Sequence, residues 1–569
     1  AQLSAMETAD IASLSTTSLA AMTTEQLVNL SSSQIAALGS AQVKALTTLQ
    51  ISKLLEDQIK GLESRDVAVL TTAQLRALSS AQMAAIGTTQ IQGLQTTAMA
   101  SLNSTQLEML TTAQLKALSS RQIGAMSSTQ LNLLSTAQLQ AIDATDLAAV
   151  KSSQIAGLNT TQFSVLTTAQ LSALTSAQIR SVTNAQLTVL STTQLQAIDS
   201  QDIAAMGTAQ ILSLTSEQLN SLSTRQLAAL TGAQLKAVTA TKLNDLTNTA
   251  LQALSSQSIK SLTTTVLASL SGSQLANLST AQIAAMPTQL IAALSNTQLA
   301  SISSAQITAL GSAQLKAMTI TQLNALDPTQ LQAIDSADLT ALSTATVAAL
   351  TAGQLNNFSS KQIAGLNSAQ VKALTSTQLN NLSPSLLQAI EAADLAAIAT
   401  NVINTLTAAQ AALLTTVQVA GLSSSQIGAM TTDQLNNLGT TQIKALTSNQ
   451  IKALSSAQLN NLQAAQLALL DAASMATLST AAVAGMTSTQ LGQLNTAQIA
   501  KLTSTAIAKL SPTQLQGLTT AQLAALSSSQ IKSMGSAQLN ALTSEQIQAI
   551  DASDLAAINM STLASLTTT

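Results

Sequence analysis

The chain has no cysteine, histidine, tryptophan or tyrosine, and its only aromatic residues are Phe163 and Phe358. Without cysteine there are no disulfides, no thiol nucleophile and no thiolate metal ligand, which fits export as well as the cytosol. Without histidine there is no His-based catalytic triad, however abundant serine is. Charge is scarce: 8% of residues are charged, against roughly 25% in ordinary globular proteins. A net charge of −3 excludes a nucleic-acid binder that works by neutralising phosphates. Long apolar runs are missing too. A membrane helix needs about 18 apolar residues in a row, and here hydroxyl residues interrupt the chain every eight. No P-loop, dinucleotide fingerprint or zinc-ligand spacing occurs. No leader-like segment is visible. The chain opens at Ala1 and closes at Thr569 in mid-repeat, which reads as an excerpt of a longer polypeptide.

What the chain does contain is one sentence, repeated. From Glu7 the sequence divides into 70 consecutive octads, ending at Leu566, with partial units at both ends and no insertion or deletion. The array is read as a single continuous domain over residues 1–569. Ordinary proteins admit length changes in loops; a frame without slips implies a pitch that every octad must keep. Recent expansion of a short DNA repeat would also give one frame, but the octads vary in sequence.

Each octad carries a helix-start signature. Position one is nearly always Ser, Thr, Gly, Asp or Asn, the residues that cap helix N-termini. Position four is usually Gln, which completes a capping box. The apolar residue at position eight of one octad and that at position five of the next form a hydrophobic staple. Thus Thr111 and Ser119 start two helices, Gln114 and Gln122 close their boxes, and Leu118 staples to Ile123. Pro328, Pro384 and Pro512 occupy position two, the first helical residue, where a missing N–H costs nothing. Pro287 sits at a cap, in an octad whose Gln is displaced. Glycine never occupies positions four, five or eight.

A single long helix is excluded, because apolar spacings of three and five average four residues per turn and the stripe would drift. A β-solenoid is excluded because positions five and eight have opposite parity. Ala and Gln are also poor strand formers. The remaining fold class is all-α: a solenoid of short capped helices, one per octad, roughly three to four octads per turn. One octad cannot stand alone, since burying two aliphatic side chains does not offset the entropy of ordering eight residues. Positions five and eight therefore face a shared core, with Phe163 at the first and Phe358 at the second. Most basic residues, including Lys44, Lys116, Lys236, Lys316 and Lys532, lie at position six and are expected to face out. The Met residues fall mostly at position eight and are read as core filler. Lys242, at a Gln position, is read as a tolerated substitution.

One departure from the pattern is not scattered. Seven octads place acid at positions one and four: Glu7/Asp10, Glu63/Asp66, Asp143/Asp146, Asp199/Asp202, Asp335/Asp338, Glu391/Asp394 and Asp551/Asp554. Their offsets from Glu7 are 7, 17, 24, 41, 48 and 68 octads, near multiples of about 3.4, which would set them on one edge of a superhelix. Three readings compete for these acids. They could be alternative caps on helix dipoles, a row of Ca²⁺ sites completed by neighbours or water, or a paired-carboxylate hydrolase site. No other cofactor is implied.

LTSEQLNSL (Leu214–Leu222) and LSPTQLQGL (Leu510–Leu518) resemble the L[ST]xEQLxxL repeats of α-superhelical proteins of the mesothelin and stereocilin type. The strict frame and the Ala/Ser/Thr/Gln bias are similar to repetitive stretches of very large secreted surface proteins of Gram-negative bacteria. That resemblance implies adhesin, stalk or filament material, often Ca²⁺-dependent, and transfers no catalytic residue. The expectation is a non-enzymatic extracellular or cell-surface repeat protein, a stiff rod, stalk or filament that self-associates into a fibre or array. The alternative is an adhesion module presenting a solenoid face to a glycan, a surface or ice. Neither reading involves nucleic acid or a membrane span.

Overall fold

The computed structural model describes residues 2–567. Among them it contains 69 α-helices and two 3₁₀ helices, Leu3–Ala5 and Ala472–Thr477, and no strand. The helices are short because each octad both starts and stops one. In the octad Thr111–Leu118, Thr111 is extended (φ −74°, ψ 156°) and its hydroxyl accepts the N–H of Gln114 at 3.2 Å. Such a hydroxyl satisfies an orphan donor of the first turn and favours the cap over continued helix. The helix Thr112–Ala117 follows. It stops at Leu118, which returns to extended backbone (φ −67°, ψ 146°) while its N–H still reaches Leu115 O. Two extended residues, at positions eight and one, redirect the chain before the next cap. No described residue has positive φ, so these helices end without the left-handed glycine that closes many others.

Positions five and eight form the core, as the periodicity predicts. Leu115, Ile123 and Met126 are fully buried. Phe163 is buried completely and Phe358 is 5% exposed. Helices pack on those three octads further along: Thr112–Ala117 against Thr136–Ala141, and Ser120–Ala125 against Ala144–Leu147. Side-chain bonds also join octads four apart, as described below. One turn of the coil therefore holds between three and four octads.

The contacts group into two compact bodies that meet in sequence between Ala293 and Leu294. Each is built on this plan: Gln114 reaches back to Met83 and Ile86 in the first body, and Gln330 to Leu299 and Ile302 in the second. No helix among the described residues is long and apolar enough to cross a membrane.

Candidate functional site

The feature repeated most often is the position-four glutamine. Its first role is the expected capping box: Gln114 Oε1 accepts the N–H of Thr111 at 2.7 Å. Its second role is not visible from the motif. Gln114 Nε2 donates to the carbonyls of Met83 (2.9 Å) and Ile86 (2.7 Å), 31 and 28 residues back. Those carbonyls belong to the end of the helix four octads earlier, where intrahelical bonds run out; Met83 O keeps one, from the Ile86 N–H at 3.3 Å. One amide thus caps the start of its own helix and the end of the helix stacked on it. Gln50, Gln138, Gln226, Gln362, Gln418 and Gln522 repeat the same offsets. These glutamines are buried, Gln114 being 2% exposed, so the bonds form where water does not compete. A signal for this was present. A capping box accepts Glu as readily as Gln, yet position four is Gln in 49 of the 70 octads and Glu in none. Only the amide carries the donor that the carbonyls need.

Several octads without this glutamine find substitutes. Lys242 Nζ donates to the carbonyls of Leu212 and Leu214, so the lysine occupies the place of the amide. Ser258 Oγ reaches Leu230 O at 2.5 Å. Where position four is Ala250 or Leu386, an asparagine four octads earlier supplies the cap acceptor. Asn220 Oδ1 accepts the N–H of Thr247, and Asn356 Oδ1 that of Ser383, both at 2.8 Å.

Position six, expected simply to face out, is a second stitch at several of its amides and arginines. Asn132, Gln140 and Gln196 donate to the carbonyls of Gly157, Val165 and Ser221, each 25 residues on. Arg180 Nε reaches Ala205 O at the same offset. Position seven must be small where turns approach closely. A Cβ on Gly61 would stand 2.6 Å from Ser32 O, and one on Gly93 2.5 Å from Ser64 O.

The acidic octads start helices, and their position-four carboxylates make a contact that none of the three readings describes. At position one, Glu7, Glu63, Asp143, Asp199, Glu391 and Asp551 occupy the cap without a side-chain cap bond. Asp335 alone of the seven accepts a backbone N–H, from Ala337. At position four, Asp66, Asp146, Asp202, Asp338, Asp394 and Asp554 each accept the hydroxyl of a serine 26 residues back. The donors are Ser40, Ser120, Ser176, Ser312, Ser368 and Ser528, always position two of the octad three earlier. Too short to reach the carbonyls and without a donor, aspartate stitches to the nearer turn instead. Asp10 is exposed. Arg65 pairs with Glu63 at 2.7 Å beside the fully buried Asp66. Among the described residues no three acidic side chains gather as a metal-holding group.

Two carboxylates have pKa values below their ordinary range. For Asp327 the Thr329 hydroxyl at 2.6 Å is the main cause, followed by the N–H of Gln330. For Glu545 the cause is its own backbone N–H, then the Thr543 hydroxyl. Both are solvent-facing and serve helix starts.

Fold and stitches together define a class: an α-solenoid repeat protein whose octads are held by side-chain caps between turns. The chain belongs to the ALTTAQ repeat family, which matches residues 3–40, 59–96, 110–143, 139–176, 195–232, 331–366, 347–384, 414–440, 427–464 and 518–552, more than half its length. The family's name spells positions seven to four, from the small residue at the close approach to the bridging amide. No curated protein matches the chain. Among solved structures it aligns with the "Homology model of the full-length AP-3 complex in an intermediate open conformation". That alignment has 12% identity and covers 94% of this chain and 86% of that one. Its TM-score is 0.14, and it carries no argument.

Proposed function

We propose that this repeat protein is a non-catalytic structural element, a stiff extracellular or cell-surface rod, stalk or filament whose length is set by the number of octads. The observation that supports it is the Gln stitch at constant offsets of 28 and 31 residues, repeated in both bodies. A fixed bond between fixed partners leaves each added octad one way to stack, and solenoid stability then grows by neighbour terms. Low charge and abundant surface hydroxyls favour side-by-side association into fibres or arrays. Negative-stain microscopy of the purified chain tests the reading. Uniform thin rods, lengthened in proportion when 32-residue blocks are duplicated, are expected; compact globules or collapsed chains would sink it.

A further inference from the structure

At Gly124 position six has no side chain, and two cations lie beside the gap. At Asn132, Gln140 and Arg180 the position-six side chain covers the position-seven carbonyl of the octad three further on. At Gly124 no side chain does so, and Ala149 O lies only 3.1 Å from where a Cβ would be. The result is an open hollow of about 430 Å³ walled by Thr96, Ser120, Arg121 and Lys151 as well as by Gly124 and Ala149. That is the size range of small-ligand sites.

Two cations face this hollow, and neither lies within 4.0 Å of a carboxylate; the ion pairs among the described residues involve only Lys60 and Arg65. No acid lines the hollow; Asp146, just outside the lining, accepts the Ser120 hydroxyl at 2.5 Å. Lys151 is the only lysine at a cap position in the chain. It makes no side-chain cap bond there, so the octad gives up the hydroxyl that 44 of the 70 octads carry at position one. The helix start itself is kept by the backbone and by Gln154 Oε1, which accepts the N–H of Lys151 at 2.7 Å, so the lysine side chain is left to face the hollow. The chain also contains its own control. Gly428 sits at the same octad position, with Ala453 O at 3.0 Å. There Ser425 and Ser455 stand in place of Arg121 and Lys151.

We propose that the Gly124 hollow is a binding site for an acidic sugar residue, its carboxylate held between Arg121 and Lys151. The uncovered Ala149 carbonyl and the lone pairs of Ser120 accept hydrogen bonds from the sugar hydroxyls, and the Thr96 hydroxyl completes the wall. This reading stands apart from the rod: a globule could carry the site and a rod could lack it.

Isothermal titration calorimetry on the full chain at low salt tests it, with glucuronate, glucose and inorganic sulfate as titrants. Glucuronate is expected to bind at one site per chain, more tightly than glucose or sulfate by at least tenfold. Gly124→Asn, which installs the side chain found at Asn132, is expected to abolish that binding. Lys151→Ser, which restores a cap, is expected to abolish it while raising Tm, so lost binding cannot be put down to misfolding. Absence of glucuronate binding overturns the proposal. So does binding that survives both substitutions, a stoichiometry of two, or sulfate binding as tightly as glucuronate.

Discussion

Replacing Gln114 with alanine removes one side chain and its bonds to three backbone groups at once, of which Met83 O keeps the Ile86 N–H. The N–H of Thr111 loses its acceptor at 2.7 Å, and the carbonyls of Met83 and Ile86 lose donors at 2.9 and 2.7 Å. Each such bond contributes about 0.5–1.5 kcal/mol net, and a buried group left unpaired costs more. Together they give a loss of about 2–4 kcal/mol, partly relieved where water can enter the space vacated. Because stability in a solenoid is a sum over neighbours, the loss is confined to the octads the amide joins, 79–86 and 111–118. Amide hydrogen exchange resolves this. The N–H of Thr111 is expected to exchange about 30- to 1,000-fold faster, with lesser acceleration in the helix Ser80–Ala85. Octads in the second body are expected to be unchanged. Lys116→Ala, which removes an exposed side chain two residues away, is the control and is expected to have no effect. Uniform acceleration along the chain, or equal effects of the two substitutions, would refute the reasoning.

The converse substitution is expected to stabilise. Ala98→Gln at a buried position four places an amide at the offsets that reach Val67 O and Leu70 O, for a gain of about 1–2 kcal/mol read as slower exchange around residues 64–70 and 95–99. Gly61→Ala puts a Cβ against Ser32 O at 2.6 Å, and the spreading of turns it requires is expected to cost about 1–3 kcal/mol in thermal or denaturant unfolding of that region. Acid is expected to loosen the octad that starts at Asp327. The carboxylate pKa is lowered in the folded chain, so its contribution is present above the unfolded value and is lost as pH falls through the folded one. Asp327→Asn keeps a cap acceptor and is expected to remove the acid dependence of exchange at Gln330 N–H; an unchanged dependence would show that the carboxylate is not its source.

Much of this fold could be read locally, and the reason is physical. A capping box, a staple and a position-two proline each involve residues within one octad of each other, so Thr111, Gln114, Leu118 and Ile123 disclose their roles without knowledge of the coil. The stitches could not be read that way. Gln114 meets Ile86 only after a full turn has closed, and nothing in the motif gives the number of residues in that turn. The preference for Gln over Glu at position four was the available clue. The aspartate octads were legible as exceptions but not as contacts. Their partners, Ser40, Ser120, Ser176, Ser312, Ser368 and Ser528, look like any other position-two hydroxyl until the 26-residue offset is known. Position six misled for a related reason. An exposed Asn or Gln side chain still bends over the edge of a neighbouring turn when a free carbonyl lies within reach. The hollow at Gly124 is the reverse case, a place where position six has no side chain to bend.

A single cross-link tests the stacking offset most directly, because the chain has no cysteine of its own. A Cβ placed on Gly428 stands 3.6 Å from the Cβ of Ala453, 25 residues away, within the roughly 3.5–4.5 Å that disulfides span. The double variant Gly428→Cys, Ala453→Cys is expected to oxidise to an intramolecular disulfide, seen as a reducible shift on gels and as a linked peptide by mass spectrometry. The pair Gly428→Cys, Ala445→Cys, one octad short of that offset, is expected to remain reduced. A 428–445 cross-link forming as fast as the 428–453 one would contradict a coil of three to four octads per turn.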